Sequence, residues 1–223
     1  MADSTPETAA PAIPASVDHV LLAVSDLQAG IDEFERRTGV RAQIGGSHPG
    51  RGTRNALVSL GDAVYLEIYA PNPSDSAGPR VAEELANYTT LTPYDWAVRN
   101  EDLDALVDSL GARNVRAGAI QPGSRLRPDG VRLEWRTLSV PDPSHPFVPF
   151  FIQWGAFSAH PATTSPRGCT LRELRFEDPE PDEFRRTLTL LDIAASVSGG
   201  PQAMMHVRLE CPTGMVEFPS PQG

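Results

Sequence analysis

The chain has 223 residues, 40% hydrophobic and 22% charged, the balance of a globular protein long enough to bury a sizeable core without covalent staples. Its formal net charge is −10, from 19 Lys and Arg against 29 Asp and Glu, and such a surface repels nucleic-acid phosphates and anionic lipid. There is no basic run, and no apolar run of about 18 residues that could cross a bilayer, so neither nucleic acid nor membrane is an expected partner.

The opening residues MADSTPETAAPAIPAS lack a basic segment followed by an apolar one, so they do not read as a secretory signal. With too little apolar surface to pack, residues 1–15 are expected to be a disordered tail. Only Cys169 and Cys211 occur. A disulfide scaffold needs more, so reduced thiols in a cytoplasmic protein are expected.

Residues 17–24, VDHVLLAV, are apolar and β-branched and predict a buried strand. Asp26 is a good N-cap for LQAGIDEFERRTG, where Leu27, Ile31 and Phe34 fall at helical spacing before Gly39. VRAQIGG is then a short strand, SHPGRGT a polar loop, and NALVSLG and AVYLEIYAP two strands joined at Gly61-Asp62. The order is βαβββ. It recurs in YDWAVRN, the helix LDALVDSLG after Asp102, the short strand VRAGAI, and the strands GVRLEWRTLSV and PFVPFFIQWG. Asp26 lies seven residues after His19, and Asp102 seven after Asp95, a register agreement that marks an internal repeat. CTLRELRFED, PEPDEFRRTLTLLD, AMMHVRLECP and GMVEFP form a third, partial pass. The expected fold class is α+β. Two full βαβββ units cover 16–75 and 90–157, and a shorter third β-α-β-β unit, 168–219, packs on the same domain. From pattern alone, strand-helix-strands is also common in ferredoxin-like folds.

The stretches VDHVLLAVSDLQAGIDEFERRTGV, HPGRGTRNALVSLGDAVYLEI, WAVRNEDLDAL, SRLRPDGVRLEW and PFFIQWG, with His160-Pro161, resemble the glyoxalase-like domain family of the vicinal oxygen chelate superfamily. The resemblance covers about residues 17–218. It implies paired βαβββ units around a cleft that usually holds a divalent metal, with ligands from the first and last strands of each unit. The units can pair within one chain or across a homodimer. By position, His19 and Glu67 are the implied ligands of the first unit. Asp95 and Gln153 stand in the corresponding places of the second, so the usual four-ligand set is not reproduced.

The residues make part of this case themselves. A His and a carboxylate inside apolar strands are costly unless paired or metal-bound, and imidazole with carboxylate suits Zn, Ni, Mn or Fe. A plain His–Glu hydrogen bond between strands, with no metal, is the competing reading. A second histidine would complete a two-His, one-carboxylate set, and His160, bordering the strand of Gln153, is the preferred candidate. His48, Arg51, Arg54 and Asn55 in the first polar loop, with Arg125 and Arg127 in SRLRPDG, are donors suited to a carboxylate or enolate. Trp96, Trp135 and Trp154 either line the pocket or belong to the core. The substrate-pocket candidates are thus His48, Arg54, Asn55, Trp96, Arg125 and His160, with Glu67 the candidate catalytic base. The implied function is a metal-dependent lyase, isomerase or epimerase acting on a small oxygenated compound through a metal-held enolate. The alternatives are a metal-free small-molecule binder of the drug-sequestering type, an extradiol-type dioxygenase, and a purely structural or partner-binding domain.

Overall fold

The computed structural model describes residues 11–75 and 79–219. The first unit comprises β1 (Val17–Ala23), α1 (Leu27–Thr38), β2 (Gln43–His48), β3 (Thr53–Ser59) and β4 (Tyr65–Pro71). A short helix, α2 (Pro79–Leu85), leads to the second: β5 (Thr92–Arg99), α3 (Leu103–Ala112), β6 (Gln121–Leu126), β7 (Arg132–Ser139) and β8 (Phe150–Trp154). A single turn, α4 (Pro161–Thr164), precedes β9 (Thr170–Asp178), α5 (Pro181–Leu190), β10 (Ser196–Gly199), β11 (Met204–Cys211) and β12 (Gly214–Pro219).

The first two units close into one eight-stranded barrel within the single chain, in the order β1-β4-β3-β2-β6-β7-β8-β5. In each, the first strand pairs parallel with the last: β1 with β4 and β5 with β8. The seam between β2 and β6 is narrow, with Ser47 opposite Leu126. There Gly46 has φ +138°, and a Cβ on it would meet the Leu126 carbonyl oxygen at 2.0 Å, so only glycine lets the units meet. Every residue of β1 is buried, because the strand is covered on both faces. Val20 and Leu22 face outward into a core with Ile31 and Phe34 of α1, while His19 and Leu21 face the barrel interior. Both predicted caps form. Asp26 accepts from the Ala29 N–H at 2.8 Å, and Asp102 from those of Asp104 and Ala105 at 3.1 and 3.0 Å.

The third segment has one strand more than its sequence suggested, β10, and a different pairing. Its sheet runs β10-β9-β11-β12, with the first strand parallel to the second and antiparallel to the third. One face is apolar and packs on the barrel wall: Phe176 lies 5.3 Å from the Trp96 ring, and Phe218 stacks on Phe34 at 5.9 Å. The other face carries a charged lattice in which Arg175 pairs with Glu177 and Glu217.

Several expectations need correction. Cys169 and Cys211 are disulfide-bonded rather than reduced, since pairing β9 with β11 brings the two together. Of the expected tail, residues 1–10 lie outside the described residues. Residues 11–15 are ordered: Ile13 packs on the core, and the Ala12 carbonyl accepts from the Leu174 N–H at 2.9 Å. In the second unit the short strand is Gln121–Leu126, not residues 115–120. The turn after Arg127 folds SRL back onto Arg132–Glu134, so half of the supposed loop is strand. His48 likewise lies on β2 rather than in a loop. No helix among the described residues is long and apolar enough to cross a membrane.

Candidate active site

Side chains alternate in and out along each barrel strand, and the inward rows converge on one cavity of about 240 Å³. β1 sends in His19, β2 His48, β3 Asn55, β4 Tyr65, Glu67 and Tyr69, β5 Asp95, and β6 Arg125. Phe150, Ile152, Trp135 and Trp154 form an apolar wall from β7 and β8.

His19 and Glu67 stand at the centre. A bulge before His19 turns Asp18 so that its Oδ1 lies 2.8 Å from His19 Nδ1. A carboxylate can only accept, so Nδ1 carries the proton and the Nε2 lone pair is free. That Nε2 faces Glu67 Oε2 at 3.9 Å. Tyr65 stacks on the imidazole at 4.4 Å and fixes its plane. Asp18 is fully buried. Burial opposes its charge, but hydrogen bonds from His160 and His19 outweigh burial and hold the carboxyl well below the usual range. Arg99 at 2.9 Å and the Trp154 indole at 3.2 Å complete its partners.

Glu67 is also held from β3, where Asn55 Nδ2 donates to its Oε1 at 2.9 Å. His48 Nε2 lies 3.8 Å from the same oxygen, with its Nδ1 on the Thr53 hydroxyl at 2.9 Å. Burial pushes His48 down to about 4, against the opposing pull of Glu67, so it is neutral at pH 7. Asp95 faces the cavity from β5, and burial raises its carboxyl to about 7, against the Trp96 backbone N–H that it accepts. Burial also raises Tyr69 to about 12 and pushes the Arg125 guanidinium down.

The structure therefore brings His19, Glu67, Asp95, His48, Asn55 and Arg125 together on one cavity, and places four other candidates elsewhere. Gln153 faces the outside of β8, where its Oε1 accepts from Arg136 and its amide donates to the Glu101 carbonyl. Arg54 points out of β3 and donates to the Pro71 carbonyl at 3.1 Å. Trp96 is core beneath the third sheet, its indole bonded to the Phe147 carbonyl at 2.8 Å. His160 caps α4 and touches Asp18 at 3.0 Å, behind His19 rather than on the cavity. The second histidine beside Glu67 is His48, at 3.8 Å against 3.9 Å for His19. Sequence reasoning missed Asp18, although an acid directly before a strand histidine was a readable signal.

The residues fit a divalent cation in kind. The free Nε2 of His19, with the carboxylate that orients it from behind, is the arrangement metal-binding histidines adopt. Glu67 supplies an anionic oxygen, and neutral His48 a second imidazole. Among the described residues, however, no three His, Cys, Asp or Glu side chains are drawn together tightly enough to hold an ion as they stand. The second unit sets no carboxylate at its last-strand position: Ala97, which corresponds to Leu21, pairs with Phe150, whereas Leu21 pairs with Glu67.

A closed barrel of paired βαβββ units around a His–Glu cavity defines a vicinal oxygen chelate protein. This chain belongs to the glyoxalase-like domain family, which matches residues 17–191. No curated protein is detectably similar in sequence. Among solved structures, a hypothetical protein from Staphylococcus aureus is similar over 93% of this chain and 86% of its own, with TM-score 0.60 and 14% identity. A variant of methylmalonyl-CoA epimerase from Streptomyces coelicolor, in complex with 2-nitronate-propionyl-CoA, is similar over 66% of this chain and 99% of its own, with TM-score 0.46 and 20% identity. The corresponding epimerase from Mycobacterium tuberculosis has TM-score 0.42 and 22% identity, over 66% of this chain and 92% of its own.

Proposed function

We propose that the barrel cavity is the active site of a lyase, isomerase or epimerase that moves a proton on a carbon next to a carbonyl of a small oxygenated substrate. The observation that carries this reading is the oriented His19–Glu67 pair. Asp18 fixes the histidine, Asn55 fixes the glutamate, and the two free faces meet in the cavity. His19 and Glu67 are the groups that would hold a divalent metal (Zn, Ni, Mn or Fe), with His48 beside them. A bound cation supplies Lewis-acid polarisation of the carbonyl, which makes the neighbouring proton more acidic. Asp95 carries the proton: its raised carboxyl can both take and return one near neutral pH. Tyr65 and the Trp135–Trp154 wall exclude water around the reacting carbon.

A second reading, a metal-free small-molecule binder, is favoured by one observation: Phe150 stands where a second carboxylate would complete the ligand set. Metal content after reconstitution separates the two. The enzyme reading expects about one equivalent of divalent metal per chain, lost in His19→Ala and Glu67→Ala. Less than about a tenth of an equivalent in the wild type would overturn the metal assignment. Washout of a substrate's α-proton into deuterated water, read by NMR, tests the chemistry itself, and its absence with every carbonyl acid tried favours the binder.

A further inference from the structure

One charge on the cavity wall is not used by proton transfer. Arg125 on β6 is only 4% exposed. Its Nε makes no hydrogen bond to any described residue, and no carboxylate among the described residues stands within ion-pair distance. The nearby Arg127 has its own partner, Asp129, at 2.8 Å. A buried guanidinium keeps its charge, and a buried charge without a partner is strongly unfavourable unless something anionic comes to it.

Asn55 has the complementary deficit. Its Nδ2 is committed to Glu67 Oε1, which fixes the amide orientation, since the flipped amide would set oxygen against carboxylate oxygen. The Asn55 Oδ1 is consequently buried with no donor. The two orphaned groups adjoin. A Cβ built on Gly45 would lie 2.4 Å from Asn55 Oδ1 and 2.9 Å from Arg125 Nη1. A glycine on β2 thus lets the cationic fork and the unpaired acceptor both pack close to the strand, and any side chain at position 45 would collide with them.

We infer that Arg125 and Asn55 form an anion subsite for the substrate's free carboxylate, with a hydroxyl of the same molecule donating to Asn55 Oδ1. The inference deepens the proposed function and rests on it only for the fate of the bound molecule. The substrate class is a small hydroxycarboxylic acid, anchored at Arg125 with its hydroxyl-bearing carbon near Glu67. One guanidinium matches one carboxylate in two parallel hydrogen bonds. The Glu67 carboxylate close by disfavours a dianion such as phosphate.

The test uses the full chain, titrated calorimetrically with glycolate, lactate and tartronate, and with lactamide and propionate as controls. Saturable binding of at least one hydroxy acid is expected. Lactamide lacks the charge and propionate the hydroxyl, and each should bind about tenfold or more weakly than lactate. Arg125→Met, similar in length and uncharged, should lose the preference for lactate over lactamide. Its melting temperature without ligand should hold or rise, because an unpaired buried charge has gone. A purely structural arginine would instead give a lower melting temperature. Arg125→Lys keeps the charge but not the fork, and should fold and bind lactate more weakly than the wild type. The inference is overturned if none of the three hydroxy acids binds, if lactamide binds as well as lactate, or if Arg125→Met binds lactate as tightly as the wild type or melts earlier. Loss of α-proton exchange in His19→Ala with lactate binding intact leaves this subsite standing, so the two readings fail separately.

Discussion

The two halves of the barrel have the same plan and opposite interiors. Both run strand, helix and three strands, both pair the first strand parallel with the last, and both open their helix on an aspartate. Yet where the first half sets His19 beside Glu67, the second sets Asp95 beside Phe150. The difference teaches that the barrel depends on pattern, while the site depends on single inward positions. Phe in place of Glu inside a strand removes a buried charge and suits β structure. The second half closes its side of the barrel without a carboxylate at that position, whereas the first half buries one beside a histidine.

The sharpest way to break this comparison is to make the first half resemble the second. Glu67→Leu should abolish α-proton exchange, by about a thousandfold or more, with a melting temperature equal to or above the wild type. Phe150→Leu should leave exchange within about threefold, since a large apolar residue is replaced by another. Equal losses from both substitutions would show that the reaction depends on Phe150 as much as on Glu67, against a Glu67-centred site. On the outer face both halves support the third sheet, Phe34 from the first and Trp96 from the second. Trp96→Ala opens a void between β5 and Phe176 and should cost about 3–5 kcal/mol of stability in urea titrations. A loss below about 1 kcal/mol would mean that the third sheet does not depend on that contact.

A smaller effect lies in the pH dependence of stability. Asp95 is raised from 3.8 to about 7, so the native state holds its proton where the unfolded chain releases it. Its contribution is present at low pH and is lost as pH rises through that window. His48 is lowered from 6.5 to about 4, so the unfolded chain takes up a proton that the native state refuses. Its contribution is present above pH 6.5 and is lost as pH falls toward 4. Between about 4 and 6.5 the two oppose each other. Asp95→Asn should therefore make stability fall more steeply on acidification through this range, and His48→Gln should make it fall less or rise. Parallel slopes for the two variants and the wild type would remove the burial argument for both groups.

What was legible in the sequence follows from the same division. Periodicity and caps carry the fold because many residues repeat the signal: Leu27, Ile31 and Phe34 declare a helix together, and Asp26 and Asp102 mark the same register twice. The site is carried by residues counted one at a time, and a slip of one along a strand reverses its facing. Gln153 is set opposite Glu67 by the repeat alignment. Its strand instead turns Ile152 and Trp154 inward, and the parallel register with β5 sets Phe150 in the Glu67 place. His48 and Arg125 were readable as donors, but not as strand residues, because glycine and proline beside them mimic a loop. Asp18 was readable as an acid beside a strand histidine, but its orientation was not, because a bulge, invisible in the alternation, rotates it behind His19.

The smallest expected effect tests whether the repeat is energetically as well as geometrically doubled. Asp26→Ala and Asp102→Ala each remove a side-chain acceptor from a helix N-terminus, which costs about 1 kcal/mol. Asp26 satisfies one backbone N–H and Asp102 two, so the second should cost slightly more. The caps lie far apart, on separate helices of separate units, and share no partner. The double variant should therefore lose the sum of the single losses to within about 0.5 kcal/mol. A loss clearly larger than the sum would mean that the halves fold as one cooperative body whose weakening at either end is felt at the other. Additivity would mean that each helix is seated by its own half, and that the halves are joined through the β1–β5 and β2–β6 seams without coupling their helix caps.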